Sequence, residues 1–495
     1  MPLRAVALCA RSQSIHFMIA LARRLKEGYG AQIHLYCSGP QEVVTYESYN
    51  GDGLFTSITS ASTLNTACFA ENLSESEVIA RARRFENLIG CTINRLMLPD
   101  RHFGRGYCLA GYYHPRSRYS EQTSYIQAVH AFSEALAFWQ REFEQKRITL
   151  CLNGTREAAH MARAAAIPYR VLVASRFRNY HCWAQNEFYE NADFEKRWHE
   201  IEDGGDIEMD QPYLGHLASR QVHMKQFSIV HLVKQVSLTL LRYAYWNLRG
   251  YSKAKGYYLS NTIRYHVRLW TEYRRLDTLS KAKLTDLSGK RFVYFPLHVE
   301  PETALHGLSP EYFYQHALIA AVCRDLPAGV YLAVKEAYGC IGRRPTNFYR
   351  QIADMKNVVL LNCWERGIEC AQKADAVVTI CGTAGLEAAV AGTPVIAFGH
   401  HNLYNFLPSV RVVHDERFLR EYLHQALFDN AIRTQTKSDG RRLLRAIADC
   451  SFDMEQFDYI DQNKFSSHAV EAACQALAKS LMRGKQAADS TLEPA

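Results

Sequence analysis

Apolar and polar positions alternate in two ways through the first 180 residues, as short apolar runs and as longer stretches with helical spacing. The short runs are typical of buried strands, and the longer stretches predict helices that cover them. The predicted strands span residues 4–9, 32–37, 148–152 and 168–173, and the predicted helices span 14–26, 75–96, 123–146 and 156–166. Strands that alternate with helices favour a parallel sheet covered on both faces.

A second alternating series begins at residue 292. Its predicted strands span residues 292–299, 329–336, 357–361, 376–381 and 394–398, and its predicted helices span 311–324, 346–355, 366–373 and 385–391. Helical patterns continue beyond residue 441, and a polar tail from about residue 484 is predicted to be disordered. The pattern therefore predicts two doubly wound α/β domains.

The segment between the two series is basic and aromatic. Residues 220–275 hold eleven Lys or Arg against the single acid Glu272, a net charge of 11 − 1 = +10. Helical spacing of Ile229, Val233, Val236 and Leu240 predicts an amphipathic helix at its start. Three interpretations stay open: a linker that packs between the domains, a surface that docks on an anionic membrane, and a surface that stacks on nucleic acid. The third ranks last, because no RNA-binding motif accompanies the segment.

The composition and the absence of several motifs argue against some classes of protein. The 495 residues carry 58 Lys and Arg against 50 Asp and Glu, so the net charge of +8 is too mild to indicate a nucleic-acid-binding protein. No window of 18 apolar residues predicts a membrane span. The 14 cysteines never form a C-x-x-C pair, which argues against a zinc or redox site and favours a reduced, cytoplasmic protein. Nucleophile-elbow, P-loop and dinucleotide-binding motifs are absent from the sequence.

The strongest candidate site is the glycine turn after the predicted strand that ends at residue 381. Glycines let an anion approach the backbone where the first helical N–H groups are free. The candidate ligand-binding residues here are Gly382, Thr383, Ala384, Gly385 and Glu387. We expect the first four to hold phosphate and Glu387 to accept hydrogen bonds from ribose. The alternative is a tight strand-to-helix turn with a solvated Glu387.

Other candidate residues follow predicted strands, where the loops of an open α/β sheet line a ligand crevice. His298, Glu300 and Glu302 follow the first strand of the second series, and such groups serve as acids or bases. Each has a structural alternative, a solvated loop with a structural histidine. In the first series, His16 and Glu157 lie where an acceptor would bind if the domains face each other. For His16 alone, a core position is the favoured interpretation.

A cationic cluster completes the candidates. Lys335, Arg343 and Arg344 lie at and after a predicted strand end, where they would neutralise phosphate charge from a cleft wall. The alternative is a solvated surface. Neither ligand spacing nor an acidic D-x-D triad points to a metal, so no metal or resident cofactor is predicted.

Residues 290–405 resemble the capsule polysaccharide biosynthesis family, which is related to bacterial Kdo and sialic acid transferases of the GT-B fold. The motifs that carry the resemblance are Tyr294 to Glu302, Val334-Lys335-Glu336, Gly342-Arg343-Arg344-Pro345, Phe348-Tyr349, Thr379 to Ala388 and Gly392 to Gly399. The chain departs from the family at Ala337-Tyr338, where relatives commonly have a His-Pro pair. The resemblance implies that this histidine contacts donor phosphate; His298, Arg343 and Arg344 are the candidates to replace it.

The resemblance implies a GT-B-like fold, two Rossmann-like doubly wound domains facing across a cleft. The expected divisions are an acceptor-side domain (1–215), the basic segment (216–288), a nucleotide-sugar domain (289–483) whose last helices are candidates to cross back, and a disordered tail (484–495). The resemblance further implies that the protein is a metal-independent glycosyltransferase of surface polysaccharide synthesis. It would be cytoplasmic or would lie at the inner face of the membrane. CMP- or UDP-linked sugar would be the donor, and a glycan or lipid-linked molecule the acceptor. The alternatives are a nucleotide-sugar 2-epimerase and a non-catalytic member that binds nucleotide-sugar or glycan.

Overall fold

The computed structural model of the protein describes residues 3–10, 14–99, 123–205, 207, 223–251, 259–299, 303–345, 347–457 and 463–490. Within these residues, two sheets form, one in each half of the chain. Helices cover both sheets and enclose continuous apolar cores. The predicted fold class, two Rossmann-like doubly wound α/β domains, is confirmed.

The first sheet has the strand order β13-β6-β5-β4-β1-β2-β3. The strands from β3 to β5 run parallel, whereas β6 and β13 are antiparallel to their neighbours. All five residues of β1 are buried, as expected of a strand covered on both faces. The strands are β1 (Ala5–Cys9), β2 (Gln32–Cys37), β3 (Ser57–Ser60), β4 (Leu150–Leu152), β5 (Tyr169–Ala174), β6 (Tyr180–Ala184) and β13 (Phe452–Asp453).

Helices of the first half connect these strands and follow the same chain order. They are α1 (Ile15–Tyr29), α2 (Pro40–Glu47), α3 (Thr63–Ala67), α4 (Glu75–Ile89), α5 (Ile93–Met97), α6 (Tyr125–Gln145), α7 (Arg156–Ala164) and α8 (Ala192–Glu200). Ser124 and Gln127 form a reciprocal capping box at the start of α6. Thr155 caps α7 by accepting a hydrogen bond from the Ala158 amide at 3.3 Å.

The second sheet is parallel throughout, with the strand order β12-β11-β10-β7-β8-β9. Its strands are β7 (Arg291–Pro296), β8 (Val330–Lys335), β9 (Val358–Leu361), β10 (Ala376–Thr379), β11 (Val395–Ala397) and β12 (Val410–Val412). The chain adds strands outward from β7 on one side and then on the other, so β7 and β10 flank the point where the strand order reverses. Ligands of open α/β sheets bind at such a topological switch point.

Two long helices occupy the basic segment, and six more cover the second sheet. The long ones are α9 (Ile229–Leu248) and α10 (Leu259–Leu279). The others are α11 (Gln315–Asp325), α12 (Phe348–Ala353), α13 (Gly367–Lys373), α14 (Thr383–Ala391), α15 (Leu419–Phe428) and α16 (Asn430–Cys450). Short 3-10 or π turns lie at Leu284–Leu287, Thr303–Gly307, Pro310–Tyr312, Tyr338–Cys340 and Glu416–Phe418.

The end of the chain returns to the first domain. Helix α17 (Ser467–Ser490) packs on α1, and the backbone carbonyl of Ala473 accepts a hydrogen bond from Trp183 Nε1 at 2.8 Å. This is the crossing back for which the last helices were candidates. The helix also extends beyond residue 484, where a disordered tail was predicted, because Lys485, Gln486, Ala487 and Ala488 are strong helix formers.

One predicted helix is divided in two. The spacing predicted a single helix over 75–96, but α4 ends at Gly90, which takes the left-handed conformation with φ of 65°. Thr92 then caps α5 by accepting a hydrogen bond from the Arg95 amide at 3.2 Å. A glycine stop followed by a threonine cap accounts for the break.

Candidate functional site

The loops after β7 and β10 meet at the switch point of the second sheet. His298 follows β7, and its Nε2 accepts a hydrogen bond from the backbone amide of Cys381 at 3.1 Å. The same nitrogen lies 3.3 Å from Thr379 Oγ1. The structure thus brings together two sequence-predicted groups that are more than 80 residues apart in the chain.

The turn into α14 depends on its two glycines. Gly382 has φ of 128°, a conformation that residues with a Cβ rarely adopt. Gly385 packs so closely on Tyr404 that an added Cβ would lie 2.3 Å from the phenol oxygen. That oxygen also donates a hydrogen bond to the Gly382 carbonyl at 3.2 Å. Tyr404 therefore fixes the first turn of α14, whose leading N–H groups have no partner within the helix.

The His298 imidazole is neutral at physiological pH. Burial lowers the pKa of His298 to about 4. Because Nε2 accepts the Cys381 amide hydrogen, Nδ1 carries the proton in the neutral form. Nδ1 is buried and has no hydrogen-bond partner among the described residues. A buried donor of this kind normally has a partner, so a ligand group is the simplest candidate.

Arg344 is placed differently from the sequence prediction. It is fully buried, and its guanidinium forms a two-pronged ion pair with Glu336 at 2.8 and 2.9 Å. It also donates to the His298 carbonyl at 2.7 Å, and Tyr349 donates to Glu336 at 2.8 Å. The solvated position that the alternative interpretation gave Arg344 is therefore wrong, and its buried ion pair supports the loop that carries His298.

Lys335 and Glu387 form the buried side of the predicted donor site. Burial lowers the pKa of Lys335, and its Nζ donates to the Glu336 carbonyl at 3.2 Å and lies 5.2 Å from the centre of the Tyr338 ring. Burial raises the pKa of Glu387 to about 7, and the nearby Lys335 partly opposes that rise. Glu387 is buried and not solvated, and it lines a cavity of 270 Å³.

The remaining donor-side candidates differ in accessibility. Thr383 and Ala384 are half-buried in the first turn of α14. Arg343 is half-buried, and its amide donates to the Cys340 carbonyl at 2.9 Å. Glu300 and Glu302 lie outside the described residues.

The first-domain candidates lie at the switch point of their own sheet, between β1 and β4. His16 is exposed in the first turn of α1, where its ring meets Tyr49 edge-on at 5.6 Å, so the core position favoured for it is wrong. Glu157 is buried in the first turn of α7. Asn153 is used structurally, because its Oδ1 accepts a hydrogen bond from the Leu172 amide at 2.9 Å. The structure thus puts both candidates on the same edge of the first sheet.

A cavity of 720 Å³ lies on the cleft side of the first domain and is lined by residues that were not predicted from the sequence. They include Arg95, Arg156, His160 and Arg163, and Gly307 joins them from the second domain. Burial lowers the pKa of His160 to about 4. The spacing of Arg156, His160 and Arg163 on one face of a helix after a strand end was the signal that could have identified them.

Contacts across this cleft are polar. Arg95 donates to Glu311 of the second domain at 2.7 Å. His401 of the second domain donates to Glu190 at 2.7 Å, and its ring stacks on Phe188 at 3.9 Å. The two domains therefore face each other, as predicted.

Within the residues that the structure describes, no group of three His, Cys, Asp or Glu side chains is arranged to hold a metal ion. None of the helices that the structure describes has the length and apolar character needed to span a bilayer.

The sequence matches no protein-family model and no curated protein. Among solved structures, the protein is similar to S. aureus MnaA determined with UDP (11% identity, 88% of this chain and 91% of that chain, TM-score 0.29). It is also similar to Thermosulfurimonas dismutans KpsC, a β-Kdo 2,4 transferase (14% identity, 56% of this chain and 78% of that chain, TM-score 0.28). A third similar structure is the spinosyn rhamnosyltransferase SpnG with spinosyn aglycone (10% identity, 90% of this chain and 99% of that chain, TM-score 0.29). Likenesses this distant do not assign the chain to any of these groups.

Proposed function

We propose that the protein is a glycosyltransferase that transfers a sugar from a CMP- or UDP-linked donor to a surface polysaccharide or glycolipid. The observation that carries the proposal is the arrangement at the switch point of the second sheet. There, the neutral His298 imidazole lies beside the glycine turn at the start of α14, with a buried Nδ1 that has no partner among the described residues. An uncharged hydrogen-bond donor and the N-terminus of a helix are groups that bind a nucleotide phosphate.

The donor would lie over the turn from Gly382 to Gly385. Backbone N–H groups of this turn and the Thr383 hydroxyl would bind phosphate, and His298 Nδ1–H would take the place of the family histidine missing at Ala337. Glu387 would accept hydrogen bonds from ribose, since it is the carboxyl group one turn into the same helix. Lys335 and Arg343 would add positive charge, whereas Arg344 would act only by holding the His298 loop.

The acceptor would enter from the first domain through the 720 Å³ cleft cavity. In the reaction, an acceptor hydroxyl oxygen bonds to the anomeric carbon as the bond from that carbon to the donor phosphate oxygen breaks. The electron pair leaves with the nucleotide, and the hydroxyl proton passes to a base. The candidates for the base are His16 and Glu157 of the first domain and Glu300 and Glu302. Neither inversion nor retention is favoured by these residues.

The proposed setting is the cytoplasmic face of the membrane, where a lipid-linked acceptor is presented, and the proposed product is a capsular or other surface polysaccharide. The residues that resemble the capsule polysaccharide biosynthesis family support this setting. No metal ion is required in the proposal, because backbone and side-chain donors would bind the leaving nucleotide.

Calorimetric titration of CMP, UDP and GDP and their sugar conjugates tests the donor site. We expect one nucleotide to bind, and Glu387→Ala and His298→Ala each to weaken that binding about tenfold or more, the loss of one strong hydrogen bond. Glu421→Ala, a change on the exposed face of α15, is the control and should bind as the wild type does. Failure of every nucleotide to bind would overturn the proposal.

Product analysis separates transfer from epimerisation. Wild-type protein with donor alone should return the donor unchanged, and sugar should be transferred only when a glycan or lipid-linked acceptor is added. Conversion of the donor sugar to its 2-epimer without an acceptor would establish the epimerase alternative. Nucleotide binding without either reaction would leave the non-catalytic alternative.

A further inference from the structure

The helix α9 has an unusual surface for an element of 20 residues, because none of its residues is buried. One face is half-buried against α10, through positions such as Leu232, Val236 and Tyr243. The opposite face is apolar and exposed, with exposed fractions of 74% for Val230, 67% for Leu241 and 87% for Leu248. A monomeric protein rarely leaves such a continuous apolar strip without a partner.

The strip follows helical geometry over its whole length. Val230, Val233, Ser237, Leu241, Ala244 and Leu248 recur at spacings of three and four residues, and Leu240 and Tyr245 lie at its edges. Val230 and Leu248 are 18 positions apart, which is five turns at 3.6 residues per turn, so the strip runs straight along the helix. We call these eight residues the apolar strip. A straight strip fits a flat surface better than a supercoiled partner helix.

The helix is held in place by its neighbours on the second domain. Phe227, just before α9, is buried and stacks on Tyr273 of α10 at 4.5 Å. Leu269 and Leu276 of α10 join the core of the second domain. Arg268 of α10 donates to the Arg344 carbonyl at 2.7 Å. The apolar strip is therefore presented by an anchored element, and the interpretation that the segment packs between the domains does not hold for α9.

Charge distinguishes the possible occupants of the strip. The helix α9 contains Lys234 and Arg242 and no acidic residue, and residues 220–275 have a net charge of +10. A second copy of this segment would bring two such positive surfaces together at the cost of repulsion. An anionic lipid surface complements the charge, and basic side chains that flank an apolar face extend to lipid headgroups. Exposed aromatic residues lie at the C-terminal end of α9, as they do at membrane interfaces: Tyr245 and Tyr251.

We infer that α9 lies in the plane of an anionic membrane, with the apolar strip inserted at the level of the headgroups and Lys234 and Arg242 against lipid phosphates. Only the choice of the cytoplasmic face of the membrane rests on the proposed function. It identifies the part of the basic segment that touches lipid, namely α9 and not α10.

Vesicle sedimentation with the full chain tests this inference without any nucleotide or acceptor. Wild type should bind vesicles of phosphatidylcholine with phosphatidylglycerol at low salt, and bind phosphatidylcholine alone much more weakly. Val230→Ser/Leu241→Ser/Leu248→Ser should reduce binding about tenfold or more, because three apolar side chains no longer enter the bilayer. Lys234→Ser/Arg242→Ser should reduce binding to the anionic vesicles about fivefold per residue and leave binding to neutral vesicles unchanged.

The matched control replaces three exposed apolar residues elsewhere, Val44→Ser/Leu88→Ser/Phe428→Ser, and should bind as the wild type does. Circular dichroism and thermal unfolding establish that each variant folds. Absence of wild-type binding to anionic vesicles, or equal binding by the strip variant, would overturn the inference. A dimer by light scattering that the strip variant abolishes would assign the strip to a second copy instead. Either result is independent of nucleotide binding, so the proposed function stands or falls separately.

Discussion

The ion pair of Arg344 with Glu336 is the most buried pair of charges in the candidate site. Both side chains are fully buried; Glu336 also accepts a hydrogen bond from Tyr349, and Arg344 also donates to the His298 carbonyl. We expect Glu336→Gln to lower the free energy of unfolding by about 3 kcal/mol, because it leaves a buried guanidinium without its counter-charge. Urea unfolding measures this change.

The matched control for that substitution is Glu369→Gln, which breaks an exposed pair with Arg366. Its cost should stay below about 1 kcal/mol, since exposed pairs are screened by water. Equal costs for the two variants would mean that the buried pair is not the support of the His298 loop.

The pKa of Glu387 has a consequence for stability. Burial raises the pKa of the folded-state carboxyl to about 7, from an ordinary value near 4.5 in the unfolded chain. Between these values the unfolded state loses its proton while the folded state keeps it, so the carboxyl costs stability as the pH rises through this range. We expect Glu387→Gln to leave stability unchanged at pH 4.5 and to raise it by about 2 to 3 kcal/mol at pH 8. Urea midpoints at the two pH values measure it.

We expect Glu387 to lower the stability of the fold at pH 8 and to strengthen nucleotide binding. The same Glu387→Gln variant should bind nucleotide more weakly than the wild type, since an amide is a poorer acceptor for ribose hydroxyls than a carboxylate. A variant that is no more stable at pH 8 would indicate that Glu387 is charged and solvated in the folded protein.

At the scale of elements, the start of α14 depends on the contact of Gly385 with Tyr404. A Cβ at Gly385 would lie 2.3 Å from the buried phenol, which has no room to move. We expect Gly385→Ala to cost about 1 to 3 kcal/mol and to weaken nucleotide binding at least about tenfold, because the phosphate-binding turn shifts. Thermal unfolding and calorimetry measure the two effects. Gly39→Ala is the control: Gly39 has extended backbone and open space, so it should cost about 0.5 kcal/mol or less.

Elements of the second domain were predicted well because their signals are local. The apolar runs of β7, β8 and β10 and the glycine turn at Gly382 are visible in the sequence, and the structure has them within a few residues. The antiparallel strands β6 and β13 were not predicted, because β13 has two residues and exists only by pairing with a strand some 270 residues earlier. Likewise, the burial of Arg344 depends on Glu336 and Tyr349 around it, which no periodicity encodes.

For the whole molecule, two kinds of contact hold the domains together. One is apolar: Trp198 of α8 is buried against α16, donates to the Asp439 carbonyl at 3.1 Å and lies 3.8 Å beneath the Arg442 guanidinium. The other is the polar set across the cleft, in which Arg95 meets Glu311 and His401 meets Glu190. Burial of apolar surface stabilises a contact far more than an exposed ion pair does. We therefore expect α8 and α16 to stay together while the polar contacts across the cleft break and the cleft opens.

Two variants distinguish these contacts. Trp198→Ala should lower the free energy of unfolding by about 3 to 5 kcal/mol, the cost of emptying a buried aromatic site. Arg95→Ala/His401→Ala should cost less than about 1 kcal/mol yet increase the radius of gyration in small-angle scattering, because the cleft is no longer held closed. A donor that bridges both domains would return the double variant to the wild-type radius, since binding energy favours the closed form. An unchanged radius without donor would mean that the polar contacts do not control the cleft.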